Sequence, residues 1–245
     1  MKFRSYTNIS FRNSVYFEKL PLAEQINFNV LTKIFHFKVN NYVLEHLIDW
    51  DSVPEDPMYR LVFPRKEMLH QDDYKALCSF VEKEDNEALK HFVESTKDKM
   101  FPDISYHSNC LPIYENELVK GTYHLFKNTL ALFPAPTLKT CHSYCTYCFR
   151  WVAFNDNELQ NDSSYVDPLT PVNYLQQEKD ITDVIFSGAD PMVLTADTLQ
   201  KYIEPLLAID HLEVITINTK ALAWWPFRFT EDKNATKLLS LFEYI

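Results

Sequence analysis

DVIFSGADPMVLTADTLQKYIEPLLAIDHLEVITIN, residues 183–218, decides the fold. It opens on a compact apolar strand, DVIFSG (183–188), and closes on a second, EVITIN (213–218). Between them Leu199, Tyr202, Ile203, Leu206 and Leu207 recur at the 3–4 spacing of an amphipathic helix, and Thr195 is placed to cap its first turn. Pro205 should kink that helix. Two strands joined by a helix of this length form a right-handed βαβ unit with parallel strands.

The same grammar extends to both sides. TLALF (129–133) is a short apolar strand upstream, and residues 171–179 and 234–244 have helical patterns, the latter with Leu238, Leu241 and Phe242 inward. Three strand–helix units give an α/β fold, a partial (β/α) barrel. A parallel sheet needs both faces covered and its outer strands paired. The chain stops at Ile245, directly after apolar helical positions, which leads to the expectation that a C-terminal portion of the barrel is missing. An open three-stranded sheet covered by the N-terminal region is the alternative.

That N-terminal region is expected to be mostly helical. Residues 1–35 have no clear period, whereas Val43, Leu44, Leu47 and Ile48 suit a short helix before the proline-rich stretch 51–64. Residues 72–84 and 86–97 are two amphipathic helices, with Asp72 and Asp85 as their caps and Cys78 on the apolar face of the first. The expected division is a helical region over 1–115 and the first half of a barrel over 116–245.

Composition narrows the function. A net charge of −10 in 245 residues argues against a protein built mainly to grip nucleic acid, and fits a small substrate. No apolar run suits a secretory signal or reaches the roughly 18 residues of a membrane span, so a cytoplasmic location without membrane contact is expected. Gly121 and Gly188 are the only glycines, against roughly 7% in average chains, so a glycine at a strand end suggests close backbone approach to a ligand.

The chemistry lies in Cys141-His-Ser-Tyr-Cys145-Thr-Tyr-Cys148. Three thiolates on one short loop can ligate three irons of a [4Fe-4S] cluster and leave the fourth iron open to the amino and carboxylate groups of S-adenosylmethionine. An electron-transfer cluster needs a fourth cysteine, and the surroundings of the nearest, Cys110, do not look like a cluster loop. Zinc on these thiolates and His142 is the competing reading, although structural zinc sites usually use two separated ligand pairs.

The CxxxCxxC motif with aromatic Tyr147 before its last cysteine resembles the radical S-adenosylmethionine superfamily. Together with ITDVIFSGAD, EVITINTKALAWWPFRFT and VNNYVLEHLIDWDSVPEDPMYRLVFP, the loop resembles the lysine 2,3-aminomutase family over roughly residues 38–240. The resemblance implies a (β/α) barrel and reductive cleavage of S-adenosylmethionine to a 5′-deoxyadenosyl radical, serving a 1,2-amino shift on lysine or a related amino acid. It makes Cys141, Cys145 and Cys148 the cluster ligands and puts Tyr147 near the adenine. Ser187, Gly188, Ala189 and Asp190 would line the methionine moiety, with Ala189 replacing a glycine of the pattern. Thr219 and Lys220 would lie near the cofactor, and Arg150 would receive a substrate carboxylate, although Trp151 and Val152 replace the arginines that follow in the family. Pyridoxal phosphate serves the family, yet its lysine is not found here, since Lys233 and Lys237 lie in no matching motif. The implied partners are an amino acid substrate and an electron donor such as flavodoxin or ferredoxin, with homo-oligomer assembly left open. An S-adenosylmethionine radical enzyme with another substrate, such as a protein lysine, and a non-catalytic cluster-binding or zinc-binding protein are the alternatives.

Overall fold

A computed structural model describes residues 1–100, 110–134, 141–148 and 167–245. Its described residues fall into two compact units. One comprises residues 2–100 and 143–148, the other residues 1, 110–134, 141–142 and 167–245.

The first unit begins in the stretch that lacks a clear period. Strand β1 (Ser5–Thr7) leads into helices α1 (Asn8–Arg12), α2 (Val15–Glu18) and α3 (Leu22–Leu31), and β1 pairs antiparallel with β2 (Lys38–Asn40). Short helices bury irregularly spaced aromatics, which is why periodicity does not reveal them. Phe28 packs against Phe11 and Phe37 at ring separations of 5.1 and 4.8 Å, and Phe63 closes on Phe37 at 4.9 Å. The expected helix after β2 is a single π-type turn, Val43–Leu47. Asp56 and Pro57 then start α4 (Pro57–Val62): the carboxylate accepts the Tyr59 N–H at 2.6 Å, and proline occupies the first turn, where its missing N–H costs nothing.

Helices α5 (Gln71–Glu82) and α6 (Asn86–Met100) match the expected pair within a few residues. Asp85 accepts the Ala88 N–H and caps α6 as expected. Asp72 does not cap α5, because the helix begins one residue earlier and Asp72 lies in its first turn, where a carboxylate still favours the positive end of the helix. Cys78 is half-buried rather than fully in the core.

The second unit holds a mixed sheet in the order β5–β6–β7–β8, formed by Thr122–Phe126, Thr129–Leu132, Asp183–Phe186 and Val214–Ile217, with a small β3–β4 hairpin (Ile113–Tyr114, Glu117–Leu118) ahead of it. The three expected strands are parallel and adjacent. An unexpected strand, β5, joins β6 as an antiparallel hairpin. Among the described residues the sheet is open rather than closed into a barrel.

Period-two alternation turns Leu130, Leu132, Val184 and Phe186 into one core, completed by Ile215 and Ile217. Helices α7 (Leu169–Gln177) and α8 (Ala196–Leu207) cover that face. The short α9 (Ala221–Trp224) and α10 (Phe227–Thr230) were not expected, and α11 (Ala235–Tyr244) was. Thr195 accepts the Thr198 N–H and caps α8 as the sequence indicates, while Pro205 falls in the last turn without ending the helix before Leu207.

The two faces of α8 give a direct test. Leu199 is fully buried and Leu207 is 42% exposed. Leu199→Ala should cost about 2–5 kcal/mol in urea unfolding, whereas Leu207→Ala should stay within about 0.5 kcal/mol of the parent. Equal losses would contradict the assignment of faces.

Candidate functional site

The residues between the cysteines hold their loop. Ser143 Oγ accepts two hydrogen bonds from the fully buried Asn40, one from its backbone N–H at 3.0 Å and one from its side-chain amide at 3.1 Å. Tyr144 donates its N–H to the Lys38 carbonyl at 2.7 Å and packs its ring edge-on against His36. Thr146 donates its N–H to the Leu61 carbonyl and its hydroxyl to the Arg60 carbonyl. The Cys148 N–H bonds the Cys145 carbonyl and closes a turn. Segments around β2 and the end of α4 therefore form a socket for residues 143–148.

Ser143, Tyr144 and Thr146 each bond the socket. Cys141, Cys145 and Cys148 are partly exposed and Tyr147 is 56% exposed. Among the described residues, no three His, Cys, Asp or Glu side chains are gathered in a metal-ligating arrangement. Three thiols on one pinned loop are nevertheless the donor set that a cluster with one open iron requires. Arg150, Trp151 and Val152 lie outside the described residues.

In the second unit the strand ends carry the rest. The Ser187 N–H bonds the Leu132 carbonyl, and Gly188 then turns the chain at φ 94°, a conformation that glycine adopts without steric cost. Ala189 and Asp190 follow, both buried. Asp190 Oδ1 accepts the Met192 N–H at 3.0 Å and the Thr219 hydroxyl at 2.6 Å, and its Oδ2 accepts the Lys220 N–H at 3.0 Å. His142 Nδ1 stands 3.8 Å from Oδ2, an ion-pair separation. Burial pushes the Asp190 carboxyl up, but His142, Thr219 and the Met192 N–H outweigh it and hold the group below the ordinary carboxylate value.

Ser187–Asp190 and Thr219–Lys220 thus meet at the C-terminal ends of adjacent parallel strands, where α/β folds bind their ligands. The Asp190 oxygens are engaged by the protein itself, so the residue ties loops together. Lys220 carries its ammonium 5.7 Å from the centre of the Trp224 ring. Cys145, Tyr147 and Cys148 belong to the first unit, and Cys141 and His142 to the second.

Sequence reasoning treats His142 only as a weak zinc ligand and passes over Arg228. The signal for Arg228 is a lone charge inside the aromatic run WWPFRF (224–229). The residue is 5% exposed, and its guanidinium donates to the carbonyls of Met192 at 2.6 Å and Leu194 at 2.8 Å.

The Asp190 tie has a pH signature. A carboxyl held below its ordinary 3.8 stabilises the fold fully above that pH, and the contribution is lost as pH falls through the lower folded value. Asp190→Asn should therefore cost about 1–3 kcal/mol near pH 7. The gap from the parent should narrow as pH falls below 3.8 and through the lower folded value. Urea unfolding across that range measures it, and a gap that widens on acidification would contradict the tie.

No protein-family model matches the chain. Individual proteins do. A protein of Aquifex aeolicus assigned as an L-lysine 2,3-aminomutase is 28% identical over 229 residues, 94% of this chain and 50% of that one. The L-lysine 2,3-aminomutase of Bacillus subtilis is 27% identical over 122 residues, 49% of this chain and 25% of its own length. The glutamate 2,3-aminomutase of Clostridioides difficile is 24% identical over 92 residues, 38% of this chain and 21% of its own. The chain spans about half the length of the Aquifex protein and a smaller share of the others. It is similar to the Aquifex protein along nearly all of its own residues.

Proposed function

We propose that this chain carries the radical-generating machinery of an S-adenosylmethionine-dependent aminomutase, with Cys141, Cys145 and Cys148 ligating a [4Fe-4S] cluster. The observation that carries this reading is the CxxxCxxC loop, whose backbone is held through Ser143, Tyr144 and Thr146 while the three cysteines stay partly exposed. Similarity to aminomutases along 94% of the chain supports it.

Cys141, Cys145 and Cys148 would hold such a cluster, which would supply the one-electron reduction that cleaves S-adenosylmethionine and so prepares hydrogen abstraction from the substrate. The protein itself binds and orients. Tyr147 offers an exposed ring for the adenine, and the Ser187–Ala189 backbone, opened by Gly188, offers polar groups to the methionine moiety. Asp190 orients that loop through Thr219 and the Lys220 N–H. Arg150 is the candidate for the substrate carboxylate, which matches the planar guanidinium fork. Electrons come from a reduced carrier such as flavodoxin or ferredoxin.

Pyridoxal phosphate does not fit the residues described. Lys237 is paired with Asp197 on the surface, and Lys233 is exposed beside the start of α11. No step is therefore assigned to that cofactor. The substrate class is an amino acid, lysine or a relative of it. Relatives named for lysine and for glutamate align with the chain, and Trp151 and Val152 stand where the family has arginines, so the substrate contacts differ from those of the lysine enzymes. No helix among the described residues is long and apolar enough to cross a membrane.

Anaerobic reconstitution with iron and sulfide tests the reading. The expected result is a brown protein holding about four of each per chain, which releases 5′-deoxyadenosine after reduction with dithionite and loses that release on Cys145→Ala. A colourless protein holding about one zinc would overturn it.

A further inference from the structure

Every polar backbone group in a buried crossover needs a partner, and the segment from Asp190 to Thr195 can be followed group by group. The Met192 N–H goes to the Asp190 side chain, the Val193 N–H to the Asp190 carbonyl and the Leu194 N–H to the Pro191 carbonyl. Thr195 then caps α8. The carbonyls of Met192 and Leu194 have no partner within the segment's own turn. Both are taken by Arg228, which lies on α10 beyond β8 and more than thirty residues away in sequence.

We propose that Arg228 is a positioning residue for S-adenosylmethionine: by bridging the carbonyls of Met192 and Leu194 it fixes the loop that presents Ser187–Asp190 to the cofactor. The inference rests on the function proposed above for those four residues. The planar fork of a guanidinium spans two carbonyls from alternate residues, whereas a lysine ammonium meets one point at a time. Asp190 and Asp232 supply the negative charge that balances the buried cation. The loop is thus held from two sides, with Asp190 reaching forward to the end of β8 and Arg228 reaching back from beyond it. Arg228 is separated from Ser187–Ala189 by this loop and acts through it.

The test uses the full chain with Arg228→Lys and Arg228→Gln. Hydrogen exchange on the protein without cofactors reads the amides of 192–194 against those of α8. Calorimetry on the anaerobically reconstituted protein reads S-adenosylmethionine affinity. The expected result is exchange at 192–194 about tenfold faster with α8 unchanged, and an affinity about tenfold weaker for Arg228→Gln. Arg228→Lys should recover part of both. Loop exchange and affinity equal to the parent in both variants would overturn the inference and leave the proposed function standing. Equal acceleration throughout α8 in both variants would also overturn it, because Arg228 would then serve general stability alone. A reconstituted parent that binds no S-adenosylmethionine would overturn the proposed function and this inference with it, and a loop that still responds to Arg228→Lys would show that the tie itself exists.

Discussion

A carboxylate withdrawn from water must find its donors within reach, and Asp190 finds them in its own turn and just beyond the neighbouring strand. The parallel register brings this about. Phe186 lies opposite Ile217, so the chain leaving β7 and the chain leaving β8 emerge side by side. A slip of one residue would turn Phe186 and Ile217 away from the helices and put the opposite face of each strand into the core. The apolar alternation that builds the core therefore also fixes where Asp190 and Thr219 meet.

The energetics favour a held loop. Desolvating a carboxylate costs several kcal/mol even after relaxation. Hydrogen bonds to a charged acceptor contribute about 1.5–3 kcal/mol each. The donors of Met192, Thr219 and Lys220 together match that cost, and His142 adds an opposing charge at 3.8 Å when protonated. A lone donor would not have sufficed, which explains why the group draws on its own turn and on the next strand at once. Arg228 meets the converse requirement, a buried cation surrounded by carbonyl oxygens and two nearby carboxylates.

Much of this was legible in the sequence, because it depends on period. The alternation in 183–186 and 214–217, the 3–4 spacing in α8 and the cap at Thr195 each follow from local physical chemistry, and the structure bears them out. The sequence also puts SGAD and TK at the ends of two strands, which the parallel register makes adjacent. Other features depend on contacts distant in sequence and leave no periodic trace. The hairpin strand β5 was hidden because its residues Thr122–Phe126 mix polar and apolar positions around a register irregularity. The helices of residues 8–31 are too short for a period to emerge and are held by Phe11, Phe28, Phe37 and Phe63, whose meeting is tertiary. The role of Asp190 as a tie was not legible, since two of its partners lie some thirty residues downstream.

The cysteine loop is governed by an equivalent constraint. If the thiols at 141, 145 and 148 are reserved for ligation, the backbone and the intervening side chains must hold the loop, because a segment this short has no helix or ladder of its own to rely on. Each intervening position has its own environment. His142 is buried beside Asp190, Ser143 meets the buried Asn40, Tyr144 bonds Lys38 and packs on His36, and Thr146 bonds Arg60 and Leu61. Tyr147 remains largely exposed. Asn40 is itself fully buried, and an amide so placed costs free energy unless it is hydrogen-bonded. The bond to Ser143 therefore satisfies the core of the N-terminal unit and anchors the loop with the same contact. An N-terminal region that looks in sequence like a helical preamble thus supplies, through Lys38, Asn40, Arg60 and Leu61, the partners that fix residues 143–146.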